Sequence, residues 1–478
     1  MVAVGTTAHR ARRPIGLRYH SADALPRPSH GMSHAPLRVA VLGAGTVGRE
    51  VVRGLAGRPE FELVGVAVRD LARARAAGLP GDLPAGLLTD APAHLVAAPD
   101  TDVIVELMGG DEPAHTLIAA ALGAGKAVVT ANKHVVAHHG ASLEAIGRRT
   151  GAAFRFEAAV GGGIPVLGPL AADLAANLIT RVRGIVNGTT NHILSAMATE
   201  GQSYETALRD AQAHGYAEAD PAGDVEGHDA VNKLVILARL AFGGWAEPGL
   251  VAGRPPTVRG NGRPGITGVT ADEVAGAAAV GCSLRLIARA ERGGGRGAGR
   301  GSGGGGSISL SVVPSAVPSS SPLGATSGVR NRIEVDGEPV GSVGFDGPGA
   351  GGAATSSAVI GDLLAVARGG GSTWAGLPAA RTVDRSDVRD GLAGARSWFL
   401  VVPGAGSGSA SGVSSGVSSG GASGAAGRPI GGGLAEESAD VGVGLAVRTR
   451  PMTLEALRRK VGPLLADGVD ATCYPVDA

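Results

Sequence analysis

Between Glu218 and Lys233 the chain reads EADPAGDVEGHDAVNK, with five acids and a single lysine. Asp229 and Lys233 stand four apart, so on a helix they share one face. A lysine steadied by a carboxylate, following an acid-rich loop, suits proton transfer around a polar substrate that carries an amine. The same residues also read as a solvated helix start with an ordinary ion pair. The segment alone does not choose between the two.

A parallel sheet that could position this chemistry is written into the first third of the chain. LRVAVLG from Leu37 is a strand, AGTVG a glycine turn and REVVRGLAG a helix. Strands follow at Phe61–Val68, Asp102–Glu106 and Ala127–Thr130, with helices at Asp70–Ala77 and Ala114–Leu122 between them. This alternation predicts an α/β fold built on a doubly wound parallel sheet of Rossmann type.

Gly43-Ala44-Gly45-Thr46-Val47-Gly48 joins strand to helix, the context in which a GxGxxG run binds a dinucleotide. The first glycine permits the turn, the second lets backbone approach the pyrophosphate, and the third lets helix pack on strand. The competing reading is a tight turn with no ligand. Val68-Arg69-Asp70 closes the second strand, where an acid suits NAD and an arginine the NADP phosphate. Arg69 favours NADP, with NAD as the alternative, against a merely solvated arginine. Glu106-Leu-Met-Gly109-Gly110 and Thr130-Ala-Asn132-Lys133 end strands at the carboxyl edge, where ligands bind, and this aims Lys133 at nicotinamide and substrate.

From Phe154 the texture becomes α+β. Ala153–Val160 and Val182–Val186 read as strands, and Pro165 is placed to start a helix running through Leu174. Asn191–Met197, Val225–Phe242 and Thr355–Ala367 read as helices, with Gly243-Gly244 stopping the second. Ile308–Val313 and Ile333–Val335 are further strands. The domain boundaries are drawn accordingly. Residues 1–35 are a disordered extension, with Met32 a natural alternative start; 36–152 bind the nucleotide; 153–345 bind substrate and oligomerise, with a flexible insertion at 292–306. A helix in 346–375 returns to the nucleotide domain, and 376–478 form a C-terminal region with a Gly/Ser linker at 404–433.

At 478 residues the chain has room for two or three cores, and a net charge of +1 argues against a nucleic-acid or membrane partner recruited by bulk charge. No apolar run is long enough to span a bilayer, and the N-terminus lacks an apolar signal core. Cys282 and Cys473 match no metal or redox spacing and read as idle thiols of a reducing, cytoplasmic compartment. His134, His138 and His139 read as ordinary polar positions, because no further ligand stands at metal spacing.

Six segments together resemble homoserine dehydrogenase: VAVLGAGTVG, VVTANK, FEAAVGGGIPV, GIVNGTTNHIL, GYAEADPAGDVEGHDAVNKL and GPGAGGAATSSAVIGDLL. They cover most of residues 37–370 in the family's order. The resemblance implies interconversion of L-aspartate 4-semialdehyde and L-homoserine with NAD(P)H, in threonine, methionine and isoleucine biosynthesis. It makes Lys233 the proton donor and acceptor, Asp229 its holder or a substrate contact, and Lys133 a group at the cofactor–substrate junction. Gly215, Glu218 and Asp224 are substrate-side groups on the same basis.

To the cofactor contacts already read at Gly43 to Gly48, Arg69, Gly109, Thr130 and Lys133 the resemblance adds Gly349 and Gly351, approaching from the far side. Glu157, Val160, Gly162 and Ile164 match a site for sodium or potassium, held largely by backbone carbonyls; a bare turn is the alternative. Homodimers or homotetramers are usual in the family. No room is left ahead of Leu37 for the kinase that some members carry. RSWFLVV at 396–402 matches the first strand of an ACT domain, and Val441–Arg448, Thr453–Leu465 and Thr472–Val476 read as strand, helix and strand. A degenerate ACT-like domain is expected there, which weakens the case for threonine inhibition. The rival readings are a silent NAD(P)-binding regulator and a dehydrogenase of a related amino-acid aldehyde.

Overall fold

The computed structural model describes residues 35–76, 84–293, 307–392, 394–403, 434–465 and 469–477. The extension expected at the N-terminus, the body of the 292–306 insertion and the Gly/Ser linker lie outside those residues.

Strands β1 (Leu37–Leu42), β2 (Phe61–Ala67), β3 (Leu88–Thr89), β4 (Val103–Glu106), β5 (Ala127–Thr130) and β6 (Phe154–Arg155) form one sheet. All its pairings are parallel, in the order β3-β2-β1-β4-β5-β6. The order reverses between β1 and β4, which makes the carboxyl ends of those strands the ligand crevice. Helices interleave as α1 (Thr46–Leu55), α2 (Leu71–Ala76), α3 (Pro92–Ala97), α4 (Ala114–Gly123) and α5 (Lys133–Thr150). They continue as α6 (Leu167–Ala171), α7 (Gly188–Glu200), α8 (Tyr204–Ala213), α9 (Ala222–Val225), α10 (His228–Phe242), α11 (Ala271–Ala279), α12 (Gly352–Ala367) and α13 (Leu454–Val461).

The strands are apolar on both faces because helices cover both. Val39, Val41, Val103, Val105 and Val129 pack with Val51, Val52 and Leu55 of α1 and with Val359 and Leu363 of α12. Ala40, Leu42, Ile104 and Val128 face Leu117, Ile118 and Leu122 of α4 and Val135, Val136 and Leu143 of α5. Although α12 is distant in sequence, it lies so close on α1 that a Cβ at Gly54 would come within 2.2 Å of Ile360 Cδ1.

A second sheet combines β7 (Leu178–Ile185), β9 (Cys282–Arg292), β10 (Ile308–Pro318), β11 (Arg330–Glu338), β12 (Gly341–Pro348) and β14 (Val388–Arg389), ordered β12-β11-β7-β9-β10-β14. It is antiparallel except where β10 meets β14. Arg292 pairs with Ile308, so the glycine-rich insertion joins the ends of neighbouring strands. The short strands β8 (Gly244–Trp245) and β13 (Arg381–Thr382) pair separately. The C-terminal region forms an antiparallel sheet of β15 (Trp398–Pro403), β16 (Ala435–Asp440), β17 (Gly444–Thr449) and β18 (Tyr474–Pro475), ordered β16-β17-β15-β18. Leu457 and Val461 of α13 pack on its Trp398 and Leu400 face, and α11 covers the other, where a Cβ at Gly276 would lie 3.0 Å from Val401 Cγ2. Both cysteines are buried, and burial pushes the Cys473 thiol up to about 12.

Several spans differ from the sequence expectation. The strand expected over Ala153–Val160 stops at Arg155, because the Glu157 carboxylate draws the chain into a turn by accepting from the N–H groups of Val166, Leu167 and Gly168. Pro165 therefore precedes α6 rather than starting it, and α6 ends at Ala171, short of Leu174. The helix expected over Val225–Phe242 is broken at Gly227, whose φ of +90° ends α9 and begins α10. Gly243, with φ +84°, caps α10 as expected. The last strand is confined to Tyr474–Pro475, and the strand read from Val441 begins at Gly444.

Candidate active site

Two helix starts meet at Asp229. Asn132 caps α5 by accepting from the Val135 N–H at 3.2 Å, which places Lys133 at the first helical position. A cation there is opposed by the helix dipole, whereas Asp229 in the first turn of α10 is favoured by it. The opposition is offset by contact: Lys133 Nζ lies 3.0 Å from Asp229 Oδ1. Lys233 Nζ donates to Asp229 Oδ2 and to the Val186 carbonyl, each at 2.7 Å. One carboxylate thus bridges two ammonium groups, that of Lys233 only 10% exposed and that of Lys133 43% exposed.

Burial works to raise the Asp229 carboxyl, but Lys233 and then Lys133 outweigh it and hold the group well below the usual carboxylate range. In return Asp229 raises the Lys133 ammonium above its ordinary value against partial desolvation. Asn187, which sequence reasoning did not single out, donates its amide to Asp224 Oδ1 at 2.7 Å and to Asp229 Oδ2 at 2.9 Å. Its own Oδ1 caps α7 by accepting from Thr190. The signal available was its place, an asparagine directly after a strand and before a helix, within the NGTTN block.

The remaining substrate-side candidates gather at the rim. Asp224 lies on α9, and Glu218 is exposed on the loop before it, near enough to contribute to the raised Lys133. The Gly215 N–H is committed to Gln212 O at 3.0 Å.

The crevice side is built by glycine geometry. Gly43 has φ +101°, and a Cβ there would lie 2.7 Å from the Leu107 carbonyl oxygen at the end of β4. A Cβ at Gly48 would meet the Gly43 carbonyl oxygen at 2.0 Å, so the third glycine closes the turn on itself. At Gly45 nothing lies within 4 Å, leaving open the position where backbone must approach phosphate. These three environments fit a bound pyrophosphate. The Asp70 carboxylate accepts from Arg73 N at 2.9 Å, and Arg69 is exposed.

At the neighbouring strand ends, Glu106 is fully buried and accepts from Met108 N at 2.8 Å and Thr130 Oγ1 at 2.6 Å. Burial raises its carboxyl. The Thr130 hydroxyl is thereby committed to Glu106, and Gly109 follows with φ +72°.

The glycine loop before α12 reaches the same place. A Cβ at Gly352 would lie 2.9 Å from the Thr46 carbonyl oxygen, and one at Gly162 would lie 2.7 Å from Gly349. The Glu157–Ile164 turn, the Gly349–Gly351 loop and the dinucleotide turn are therefore in contact in series. Among the described residues no group of three or more histidines, cysteines and carboxylates is placed to hold a metal ion. Two imidazoles flank Asp111, His139 Nε2 at 2.8 Å and His134 Nε2 at 3.7 Å. No described helix is long and apolar enough to cross a membrane.

A family model described as homoserine dehydrogenase matches residues 165–364, and one described as its NAD binding domain matches 43–157. The homoserine dehydrogenase of Mycobacterium tuberculosis is 44% identical over 342 residues, covering 70% of this chain and 73% of its own. That of Corynebacterium glutamicum is 40% identical over 360 residues, covering 72% and 76%. Among solved structures, a homoserine dehydrogenase from Thiobacillus denitrificans superposes with a TM-score of 0.75 at 29% identity, over 92% of this chain and 98% of that one. A hyperthermophilic archaeal homoserine dehydrogenase in complex with NADPH gives a TM-score of 0.56 at 27% identity, over 69% and 97%.

Proposed function

The chain belongs to the homoserine dehydrogenase family, oxidoreductases acting on a CH–OH group, and from that premise we propose that Lys233 exchanges the proton as L-homoserine and L-aspartate 4-semialdehyde interconvert. The observation that carries this is the pair of 2.7 Å bonds from Lys233 Nζ to Asp229 and to the Val186 carbonyl. A neutral amine has two N–H bonds and one lone pair. With both N–H bonds engaged, the lone pair is left for the substrate hydroxyl, whose proton it accepts. In the reverse direction the third N–H of the ammonium occupies that position and donates to the carbonyl oxygen.

The nicotinamide, when bound, takes or supplies the hydride at the adjacent carbon. Lys133 polarises the same oxygen from the nucleotide side. Asp229 holds both amines, Asn187 and Asp224 orient Asp229, and Glu218 together with the Gly215 carbonyl receives the substrate ammonium.

NADP is the preferred cofactor on this reading, because Arg69 is exposed at the end of the second strand while Asp70 is occupied as a helix cap. The monovalent cation fits the Glu157–Ile164 turn. Among the described residues no N–H reaches the carbonyls of Val160, Gly162 or Ile164, which leaves oxygen donors there for sodium or potassium. The Glu157 carboxylate itself is taken by three backbone N–H groups.

The pathway role in threonine, methionine and isoleucine synthesis, a homodimeric or homotetrameric state and a cytoplasmic location belong to the same reading. So does a degenerate ACT-like C-terminal region, which the β16-β17-β15-β18 order with one crossover helix supports. Initial rates with L-homoserine and each cofactor at alkaline pH, with and without threonine, test the proposal. Reduction of NADP ahead of NAD with little threonine effect is expected. Folded protein that reduces neither cofactor overturns it.

A further inference from the structure

We propose that Glu144 and Arg239 form a positioning clamp that sets the Lys133–Asp229 junction from three turns further along α5 and α10. The inference rests on the catalytic reading of Lys233 and Asp229 above.

The two helices run parallel, side by side. Lys133 at the start of α5 meets Asp229 at the start of α10 at 3.0 Å. Glu144, eleven residues further along α5, meets Arg239, ten residues further along α10. Each interval is three turns, about 15–17 Å at the α-helical rise.

The far rung is the buried one. The Arg239 side chain is 0% exposed and that of Glu144 is 2% exposed, and the guanidinium grips the carboxylate through Nε at 2.9 Å and Nη2 at 2.7 Å. Glu144 also accepts from Trp245 Nε1 and Arg148 Nε, both at 2.8 Å, and from Ala380 N at 3.2 Å. Gly140 is what lets the indole lie across α5, since a Cβ there would come within 2.5 Å of its ring. Arg239 additionally donates to the Pro378 carbonyl at 3.0 Å.

A fork of this kind fixes rotation and axial register together, because both N–H directions must meet both oxygens. The near rung cannot do so alone, since Lys133 is flexible and 43% exposed. A buried pair contributes little net stability relative to apolar residues, so its use here is geometric. The helices are stiff, and a slide at the clamp is passed to the catalytic end. Misplacement by about 1 Å costs roughly a hundredfold in rate when reacting groups are aligned to start with.

The double variant E144Q/R239M removes both charges of the clamp together; its amide oxygen replaces one carboxylate oxygen, serving either Trp245 or the Ala380 and Arg148 donors, and the partly exposed Arg148 keeps the Leu377 and Pro378 carbonyls. In the full-length protein it is expected to fold and to bind NADPH within about twofold of wild type, while kcat for L-homoserine falls about tenfold or more. The acid limb of the kcat profile moves to higher pH, because Lys233 must be neutral to accept the proton and Asp229 is no longer shared closely with Lys133. A merely structural pair would lower the melting temperature and leave that limb in place.

Trp245→Phe, which removes the indole donor to Glu144, keeps the test alive if the double variant does not fold; it is expected to move the limb in the same direction with a smaller loss. Folded variants with wild-type kcat and an unmoved acid limb overturn the clamp. Wild-type protein that leaves L-homoserine unchanged overturns the catalytic reading instead, so the two failures are separable.

Discussion

Replacing Lys233 by methionine matches the side chain out to its ε carbon and removes its amine. The ion pair lost is close and shielded, with 2.7 Å between Nζ and Asp229 Oδ2 and both side chains 10% exposed. At an effective dielectric of about 20 the attraction is roughly 6 kcal/mol, set against desolvation of both groups by several kcal/mol. Stripping one partner from a buried pair typically costs about 3–5 kcal/mol. Here the stranded carboxylate keeps Lys133 at 3.0 Å and the Asn187 amide at 2.9 Å. The expected loss is therefore smaller, about 2–3 kcal/mol.

The sign with pH follows from Asp229. Its folded carboxyl lies below the unfolded value, so its stabilisation is present above the unfolded value and disappears as pH falls through the folded one. Without Lys233 the folded value climbs, and acid unfolding begins at higher pH than in wild type. Turnover of L-homoserine, followed by nicotinamide absorbance, is expected to fall by about 10²–10⁴-fold or more, while cofactor binding measured by fluorescence persists. Near-wild-type turnover in a folded K233M protein refutes the proton-transfer assignment. Unchanged acid stability refutes the account of Asp229.

Four further variants have expected outcomes. Gly45→Ala should fold normally, because nothing lies within 4 Å of the added Cβ, yet bind cofactor more weakly; Gly48→Ala should lose thermal stability, because its Cβ would lie 2.0 Å from the Gly43 carbonyl oxygen. Calorimetry and cofactor titration separate the two, and the opposite pattern contradicts the assigned glycine roles. Asn187→Ala strips one amide from two carboxylates and should destabilise the fold by about 1–3 kcal/mol, with a higher acid limit for kcat/KM; a denaturation curve and a pH profile read both. Arg69→Ala should raise KM for NADP and leave that for NAD unchanged; equal effects on both cofactors would count against a 2′-phosphate contact.

Four strands of the nucleotide sheet were legible as short apolar runs alternating with helical stretches, and the Gly43–Gly48 spacing carries its own mechanical reasons; the two-residue β3 was too short to read, and β6 was assigned to the region that follows. The Asp229–Lys233 pair was legible because both residues lie on one helix, four apart. Lys133–Asp229 and Lys233–Val186 were not, since they join segments brought together only by the crossing of two layers. Ala153–Val160 misled because Phe154 and Phe156 alternate like a strand, while Glu157 gathers three backbone donors from residues nine to eleven positions ahead. The strand β9 escaped notice because Arg285 and Arg289 interrupt its apolar pattern, yet both are buried. No local rule foretells that a guanidinium will be covered by another part of the chain.

One buried carboxyl has a mechanical consequence for the cleft. Glu106 binds the loop that leaves its own strand and also the threonine that ends the next one. The two carboxyl tips on which a dinucleotide would rest are therefore riveted together and must travel as a unit. Breathing needed to admit or release such a ligand falls to the walls rather than to the floor.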